Sequence, residues 1–183
     1  MPGDANDRRA YGGYARVAWA SGCCFRPALE LGGVYLSGDD PATARYEGWD
    51  DFYGEWPKWS ELLIYTFSDN TTRIHDLAFA AGDPRRTDDA GAWNNLRLAY
   101  VEGRFDPVPK LTVALRGAVL GAAEDTGPGP GRDRGTLIVA HADWTRWPGV
   151  AVQAWGEVFN PGDFYVPDAD PAWYARFQIV TSF

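Results

Sequence analysis

The sequence has few residues of the kinds that build redox, metal or nucleic-acid sites. Its 183 residues include 2 cysteines, 2 histidines and 1 methionine. Cys23 and Cys24 are adjacent, and the ~3.8 Å between neighbouring Cα atoms is too short for an ordinary disulfide. Both histidines are distant from them in sequence, so we expect no metal site and no cofactor. The net charge of −8 argues against a nucleic-acid partner, since phosphate binding needs a basic face.

Long apolar runs are also missing. No stretch reaches the ~18 consecutive apolar residues of a membrane-spanning helix, and the start, MPGDANDRRA, lacks the apolar core of a secretory signal. We expect residues 1–10 to be a linker or disordered, and residues 11–183 to form one domain. The mean hydropathy is −0.34, although the chain contains 9 Trp, 9 Tyr and 9 Phe. The chain is therefore rich in large rings and still polar overall.

Apolar and polar residues do alternate along most of the chain. In 111–121, Leu115 and Val119 fall on one face and Arg116 on the other. In 94–104, Leu96 and Leu98 fall on the apolar face and Arg97 on the polar one. This period of two predicts β-strands with two unlike faces. We predict nine strands, at 11–21, 25–37, 60–68, 74–82, 94–104, 111–121, 136–147, 150–159 and 172–183.

The connections between these strands alternate in length. Short ones fall at 22–24, 69–73, 105–110 and 148–149, and long ones at 38–59, 83–93, 122–135 and 160–171. In an antiparallel meander, alternate connections emerge at opposite ends of the sheet. Short turns at one end and long loops at the other are typical of outer-membrane barrels, and strands of ~9–11 residues suit a tilted crossing of the bilayer. We therefore predict an all-β fold, an antiparallel up-and-down transmembrane β-barrel meander.

Aromatic residues cluster where the predicted strands meet their connections. An amphipathic ring at such a boundary sits between lipid and water. We predict a membrane girdle made of Tyr35, Trp56, Trp59, Trp93, Phe164, Tyr165 and Trp173 at the long-loop end, and Trp144, Trp147 and Phe183 at the other. The alternative is a water-soluble β-sandwich, which shares the period of two and would use these rings to fill its core.

Three segments carry a family resemblance. They resemble segments in the carboxy-terminal half of the alginate export family of bacterial outer-membrane porins. The three segments are GVYLSGDDP, FYGEWPKWSELLIYTF and EVFNPGDFYVPDADPAWYARFQIVTSF. The resemblance covers roughly residues 11–183. It implies an outer-membrane barrel of about 18 antiparallel strands that passes an anionic polysaccharide or related acidic sugar outward by diffusion. It also implies that a closing strand ending in Phe183 is presented to the barrel-assembly machinery.

The family barrel is about twice as long as this chain. Nine strands are half of such a barrel, so we expect the chain to be its second half, with the signal peptide and the first half absent. The expected location is the bacterial outer membrane, in contact with its lipid.

The polar faces of the strands would line the channel. This places the following residues on the path of the solute: Arg16, Arg26, Glu30, Glu61, Arg97, Arg116, His141, Asp143, Gln153, Glu157, Arg176 and Gln178. A planar guanidinium can hold a carboxylate through two hydrogen bonds, and many weak contacts allow passage where one tight site would trap a solute. The alternative is that arginines and acids pair across neighbouring strands and only keep the lumen polar.

Catalysis is not indicated. Glu61, Asp143 and Glu157 could in principle supply paired carboxylates for glycoside hydrolysis, but they fall on separate strands and no spacing brings two of them together. No serine or cysteine occupies a G-x-S-x-G context. We therefore expect no enzyme. The competing function is a soluble carbohydrate-binding β-sandwich, and the orientation of Leu96, Leu98 and Leu115 is expected to separate it from the channel.

Overall fold

Seven of the alternating stretches form strands in the part of the chain that the structure describes. The computed structural model describes residues 9–43, 45–49, 60, 95–127, 129–167 and 169–182. Within these ranges the chain contains no helix long and apolar enough to cross a membrane. The strands are β1 (Gly12–Ala20), β2 (Ala28–Leu36), β3 (Leu96–Val108), β4 (Leu111–Gly121), β5 (Asp133–Trp147), β6 (Val150–Asn160) and β7 (Ala172–Thr181). They form one antiparallel sheet in chain order, which confirms the predicted all-β, antiparallel class.

The order of the sheet differs from the prediction at one place. Strands were predicted at 60–68 and 74–82, between the stretches that became β2 and β3. Apart from Ser60, both predicted strands lie outside the described residues. β2 is hydrogen-bonded directly to β3, with Leu36 opposite Leu96 and Ala28 opposite Arg104. The described sheet therefore has seven consecutive strands, and β1 and β7 are its edges.

The two ends of the sheet carry unlike connections. The short-turn end has the connections 21–27, 109–110 and 148–149, and the long-loop end has 37–95, 122–132 and 161–171. The two shortest turns use the left-handed backbone region, since Lys110 and Gly149 both have φ of 69°. A positive φ of this size costs glycine nothing, which suits Gly149 to its two-residue turn.

One face of the sheet, here called the outer face, exposes apolar side chains. Cross-strand partners such as Leu31 and Val101, or Val158 and Trp173, continue this face from strand to strand. Its large exposed members are Val17, Trp19, Leu29, Leu31, Tyr35, Val101, Phe105, Leu115, Val119, Ile138, Val158, Trp173, Phe177 and Ile179. An apolar surface of this extent is unusual for a protein in water.

The opposite face, here called the inner face, carries the buried core near the long-loop end. Loops fold over the sheet there and pack Phe164 and Tyr165 against it. The strand residues of this core are Val34, Leu36, Leu96, Leu98, Ala118, Leu120, Leu137, Val139, Phe159 and Ala172. In the described part of the chain, the core therefore lies between one sheet and its own loops.

The first residues of strand β3 face the opposite way from the prediction. Leu96 and Leu98 were assigned to the apolar outer face and Arg97 to the polar one, but Leu98 is buried in the core and Arg97 is exposed. The ladder fixes this orientation, because Leu98 lies opposite Val34 on β2 and Leu120 on β4. Leucines are suited to the inner face here because the loops keep water away from it.

Candidate functional site on the inner face

A belt of polar and aromatic side chains crosses the inner face between the core and the short-turn end. Its members lie side by side because they are cross-strand partners: Glu102 faces Arg116, and Trp155 lies between His141 and Arg176. The polar belt consists of Arg16, Glu30, Tyr100, Glu102, Arg104, Arg116, His141, Asp143, Gln153, Trp155, Glu157 and Arg176. We treat it as the candidate site because it concentrates the charged groups of the strands.

The β1 to β4 part of the belt is a network of arginine and tyrosine. The Tyr100 hydroxyl donates to Oε1 of Glu30 at 2.7 Å, and Nη1 of Arg16 lies 3.5 Å from Oε2 of the same carboxylate. The Arg116 guanidinium lies over the Tyr100 ring, 4.6 Å from its centroid. The ring can take this position because Gly32 has no side chain, and a Cβ there would overlap it.

Glu102 holds two arginines at once. Its Oε1 accepts from Nη2 of Arg104 at 2.8 Å, and its Oε2 accepts from Nη2 of Arg116 at 2.6 Å. The carboxylate itself is buried. Charge-assisted hydrogen bonds of this kind are the strong ones, and one carboxylate between two guanidiniums leaves a local excess of positive charge.

The β5 to β7 part of the belt is built on Trp155. The His141 ring stacks on it with centroids 4.6 Å apart and an interplanar angle of 9°, and Cζ of Arg176 lies 5.6 Å from its centroid. Its Nε1 donates to Oε1 of Glu157 at 2.6 Å. The Ser60 hydroxyl donates to the other oxygen of Glu157 at 2.5 Å, so the 37–95 connection contacts the inner face at this residue.

Smaller polar contacts extend the belt toward the short-turn end. Gln153 donates to Oδ1 of Asp143 at 2.7 Å. Beyond Phe105, the Thr112 hydroxyl donates to Asp106 at 2.8 Å, and Arg26 forms an ion pair with the same carboxylate.

In three of these ion pairs the arginine is the exposed partner, whereas the Arg116 side chain is only 12% exposed. The Arg16 side chain is 65% exposed and that of Glu30 is 15% exposed; Arg104 is 50% exposed and Glu102 is 3% exposed. Arg26 and Asp106 follow the same order. The carboxylates therefore sit against the sheet, and guanidinium N–H groups face the space in front of it.

A buried arginine fixes the loops over the long-loop end. Arg134 donates from Nη1 to the carbonyl of Asn95 at 3.1 Å and from Nη2 to the Tyr165 hydroxyl at 3.3 Å. Its Cζ lies 5.1 Å from the centroid of the Phe164 ring. These contacts tie the beginning of β5 to the 161–171 connection and to the residue before β3.

Asn95 binds the neighbouring loop with its whole side chain. Its Nδ2 donates to the Glu124 carbonyl at 3.0 Å and to the Thr126 hydroxyl at 2.9 Å. Its Oδ1 accepts from the Glu124 N–H at 2.6 Å. Asn95 is fully buried, so these three bonds connect the 122–132 loop to the core.

Most residues predicted for the solute path lie on the inner face. They are Arg16, Glu30, Arg116, His141, Asp143, Gln153, Glu157, Arg176 and Gln178. Arg26 lies in the β1–β2 turn, and Glu61 lies outside the described residues. Arg97 lies on the outer face, where its Nη2 donates to the Ala123 carbonyl at 3.2 Å and its Cζ is 6.0 Å from the Tyr35 ring centroid.

The predicted girdle residues divide into three groups. Tyr35, Trp147 and Trp173 are exposed, and Trp144 lies beside Trp147 with ring centroids 4.8 Å apart. Phe164 and Tyr165 lie in the core instead, because the Phe164 N–H donates to the Asp133 carbonyl and folds the connection back over the sheet. Trp56, Trp59, Trp93 and Phe183 lie outside the described residues.

Several site residues were not predicted. They all fall on strands, and they are Tyr100, Glu102, Arg104, Trp155 and Arg134. Their alternation with apolar neighbours was the signal that could have placed them on the polar face. Glu102 and Arg104 alternate with Val101, Gly103 and Phe105, which places them opposite the apolar face. No sequence signal predicts the burial of Arg134.

Two further observations bear on the chemistry. Among the described residues, no group of three or more His, Cys, Asp and Glu side chains could hold a metal ion. Comparison with protein-family models and with curated proteins found no match to this chain.

Proposed function

We propose that the sheet is part of the wall of a β-barrel in the bacterial outer membrane, and that its inner face lines a path for an acidic saccharide. The observation that carries this proposal is the contrast between the two faces of one sheet. The outer face exposes apolar side chains, and the inner face carries the ion pairs. Hydrocarbon on one side and water on the other would satisfy both faces.

The position of charge on the outer face supports the membrane assignment. A charged side chain at the bilayer midplane of a barrel costs about 2–4 kcal/mol, and the cost falls to about 0–1 kcal/mol near the interfaces. In the described ladders, the charged residues at outward positions lie at the long-loop end: Asp133 at the beginning of β5, and Arg97 at the beginning of β3. Its bond to the Ala123 carbonyl and its proximity to Tyr35 suit an interfacial arginine, whose long side chain reaches past the hydrocarbon.

The solute class rests on the exposed guanidiniums. Each guanidinium has five N–H donors, so Arg16 and Arg104 keep donors for a solute while paired with Glu30 and Glu102. Four arginines and four carboxylates of the polar belt balance each other, which favours weak, exchanging contacts with carboxylated sugars rather than tight binding. The resemblance to the alginate export family supports the same class of solute.

Vesicle efflux tests both parts of the proposal. The full chain is reconstituted into phospholipid vesicles loaded with oligomers of glucuronic acid or with neutral glucose oligomers of equal length. We expect both to leave and the acidic oligomer to leave faster, with Arg16→Gln and Arg104→Gln slowing the acidic oligomer alone. Arg132→Gln, an exposed arginine in the 122–132 loop outside the belt, is the control. Vesicles that retain both oligomers would overturn a channel formed by this chain on its own, and equal efflux of the acidic and the neutral oligomer would overturn the acidic solute.

The soluble β-sandwich keeps one supporting observation, since Leu96 and Leu98 point into a core. Leu115 is exposed on the outer face, however, and the described strands belong to one sheet. A sandwich would need a second layer over that face. If the full chain is a folded monomer in water without detergent, the sandwich is favoured and the membrane assignment fails.

A further inference from the structure

Two cations and two tryptophans lie together at the short-turn end. Nζ of Lys110, in the β3–β4 turn, is 3.5 Å from the carbonyl oxygen of Arg146 near the end of β5. The Thr145 N–H donates to the Lys110 carbonyl at 2.9 Å, so the turn and the end of β5 are held against each other. Trp144 and Trp147 lie on either side of the Thr145–Arg146 segment, with their ring centroids 4.8 Å apart. We call Lys110, Trp144, Arg146 and Trp147 the rim cluster.

Neither cation of the rim cluster pairs with a carboxylate of the described residues. The ion pairs there include those of Arg16, Arg26, Arg104, Arg116, Arg132 and His141, and neither Lys110 nor Arg146 takes part in one. Both side chains are exposed. Nζ of Lys110 lies against the main chain of Arg146, so an anion within reach of both exposed side chains would be bound with favourable Coulomb energy.

The tryptophans place this charge beside the outer face. Trp144 is the ladder partner of Leu111 and Val152, and Trp147 is the partner of Val150. Val152 in turn lies opposite Ile179 on β7, whose side chain faces outward. If the outer face meets hydrocarbon, the rim cluster lies where hydrocarbon ends, the depth at which tryptophan is enriched and phospholipid phosphates occur.

We propose that the rim cluster binds the phosphate of an anionic membrane phospholipid, with Lys110 and Arg146 on the phosphate and the tryptophan pair beside the lipid's glycerol and upper acyl chains. This rests on the proposed membrane function. A guanidinium and an ammonium can together bind several phosphate oxygens. Two basic residues at an anionic lipid surface correspond to roughly a thirty-fold gain in affinity.

Lipid titration tests this site. The full chain in a non-ionic detergent is titrated with short-chain phosphatidylglycerol or phosphatidylcholine, and bound lipid is counted by native mass spectrometry. We expect phosphatidylglycerol to bind more tightly, and Lys110→Gln with Arg146→Gln to raise its dissociation constant about thirty-fold. Lys110→Arg with Arg146→Lys keeps both charges and should retain most of the affinity. Arg9→Gln with Arg132→Gln removes the same charge near the long-loop end and should change little.

Three results would overturn the lipid site while leaving the membrane wall intact: equal affinity for the two lipids, an equal loss in the Arg9 and Arg132 control, or displacement of the lipid by millimolar inorganic phosphate. The last would mean that the cluster binds free phosphate. Failure of the chain to enter vesicles at all would instead overturn the proposed function and this site with it.

Discussion

Replacing Gly32 with alanine tests whether the arginine–tyrosine network holds the sheet together. A Cβ at Gly32 would overlap Cζ and the hydroxyl of Tyr100, so the ring must swing away from β2. It then loses its hydrogen bond to the Glu30 carboxylate, about 1.5–3 kcal/mol for a charged acceptor, and its contact with Arg116, about 0.5–1 kcal/mol. The lower chain entropy of unfolded alanine returns about 0.4–1 kcal/mol. We expect the free energy of unfolding to fall by about 1–3.5 kcal/mol.

Urea unfolding of the reconstituted full chain, followed by tryptophan fluorescence, measures this change. Gly117→Ala is the matched control, since Gly117 also lies within a strand and a Cβ there meets nothing within 4 Å. It should leave stability unchanged or raise it by about 0.4–1 kcal/mol. In a Tyr100→Ala background, Gly32→Ala should cost little, because the two residues act through one contact. Equal effects of Gly32→Ala and Gly117→Ala would refute the network as described.

Two further substitutions probe the loops over the long-loop end and the outer face by the same unfolding measurement. Asn95→Asp places an acceptor opposite the Glu124 carbonyl and buries a charge. We expect the free energy of unfolding to fall by about 2–4 kcal/mol. A fall of less than about 0.5 kcal/mol would contradict the buried hydrogen bonds. Leu115→Arg in vesicles should lower stability by about 2–4 kcal/mol, whereas Gln178→Arg on the inner face should be nearly neutral. A well-tolerated Leu115→Arg would count against contact of the outer face with lipid.

The strands could be predicted because alternation is a local property of the sequence. The predicted 111–121 strand coincides with β4, and the predicted 150–159 strand differs from β6 by one residue. The faces of β3 could not be predicted from its first residues. Its inward side is apolar under the loops, at Leu96 and Leu98, and charged in the belt, at Glu102 and Arg104. Apolar residues therefore change sides along this one strand, and only the ladder to β2 and β4 resolves which side is inner.

The buried residues under the loops at the long-loop end depend on contacts that are distant in sequence. Phe164 follows the turn-forming stretch NPGD. Its position between two predicted strands was the reason for predicting it at a membrane boundary. In the structure, the connection folds it back into the core. Arg134 is buried because Phe164, Tyr165 and Asn95 surround it. Nothing local to Arg134 distinguishes it from an exposed arginine, which is the usual case for this residue type.

Neighbouring positions on β7 offer a direct comparison of the two faces. Ile179 faces outward opposite Val152, and Gln178 faces inward opposite Gln153, at the same depth and with both side chains exposed. Ile179→Cys and Gln178→Cys are made with both exposed native thiols removed by Cys23→Ser and Cys24→Ser. Each is labelled with a small fluorophore in vesicles.

If the outer face meets hydrocarbon, a nitroxide carried on lipid acyl chains quenches the label at position 179 and aqueous iodide quenches the label at position 178. The opposite pattern, or iodide reaching both labels equally, would contradict a sheet with lipid on its apolar side and water on its charged side.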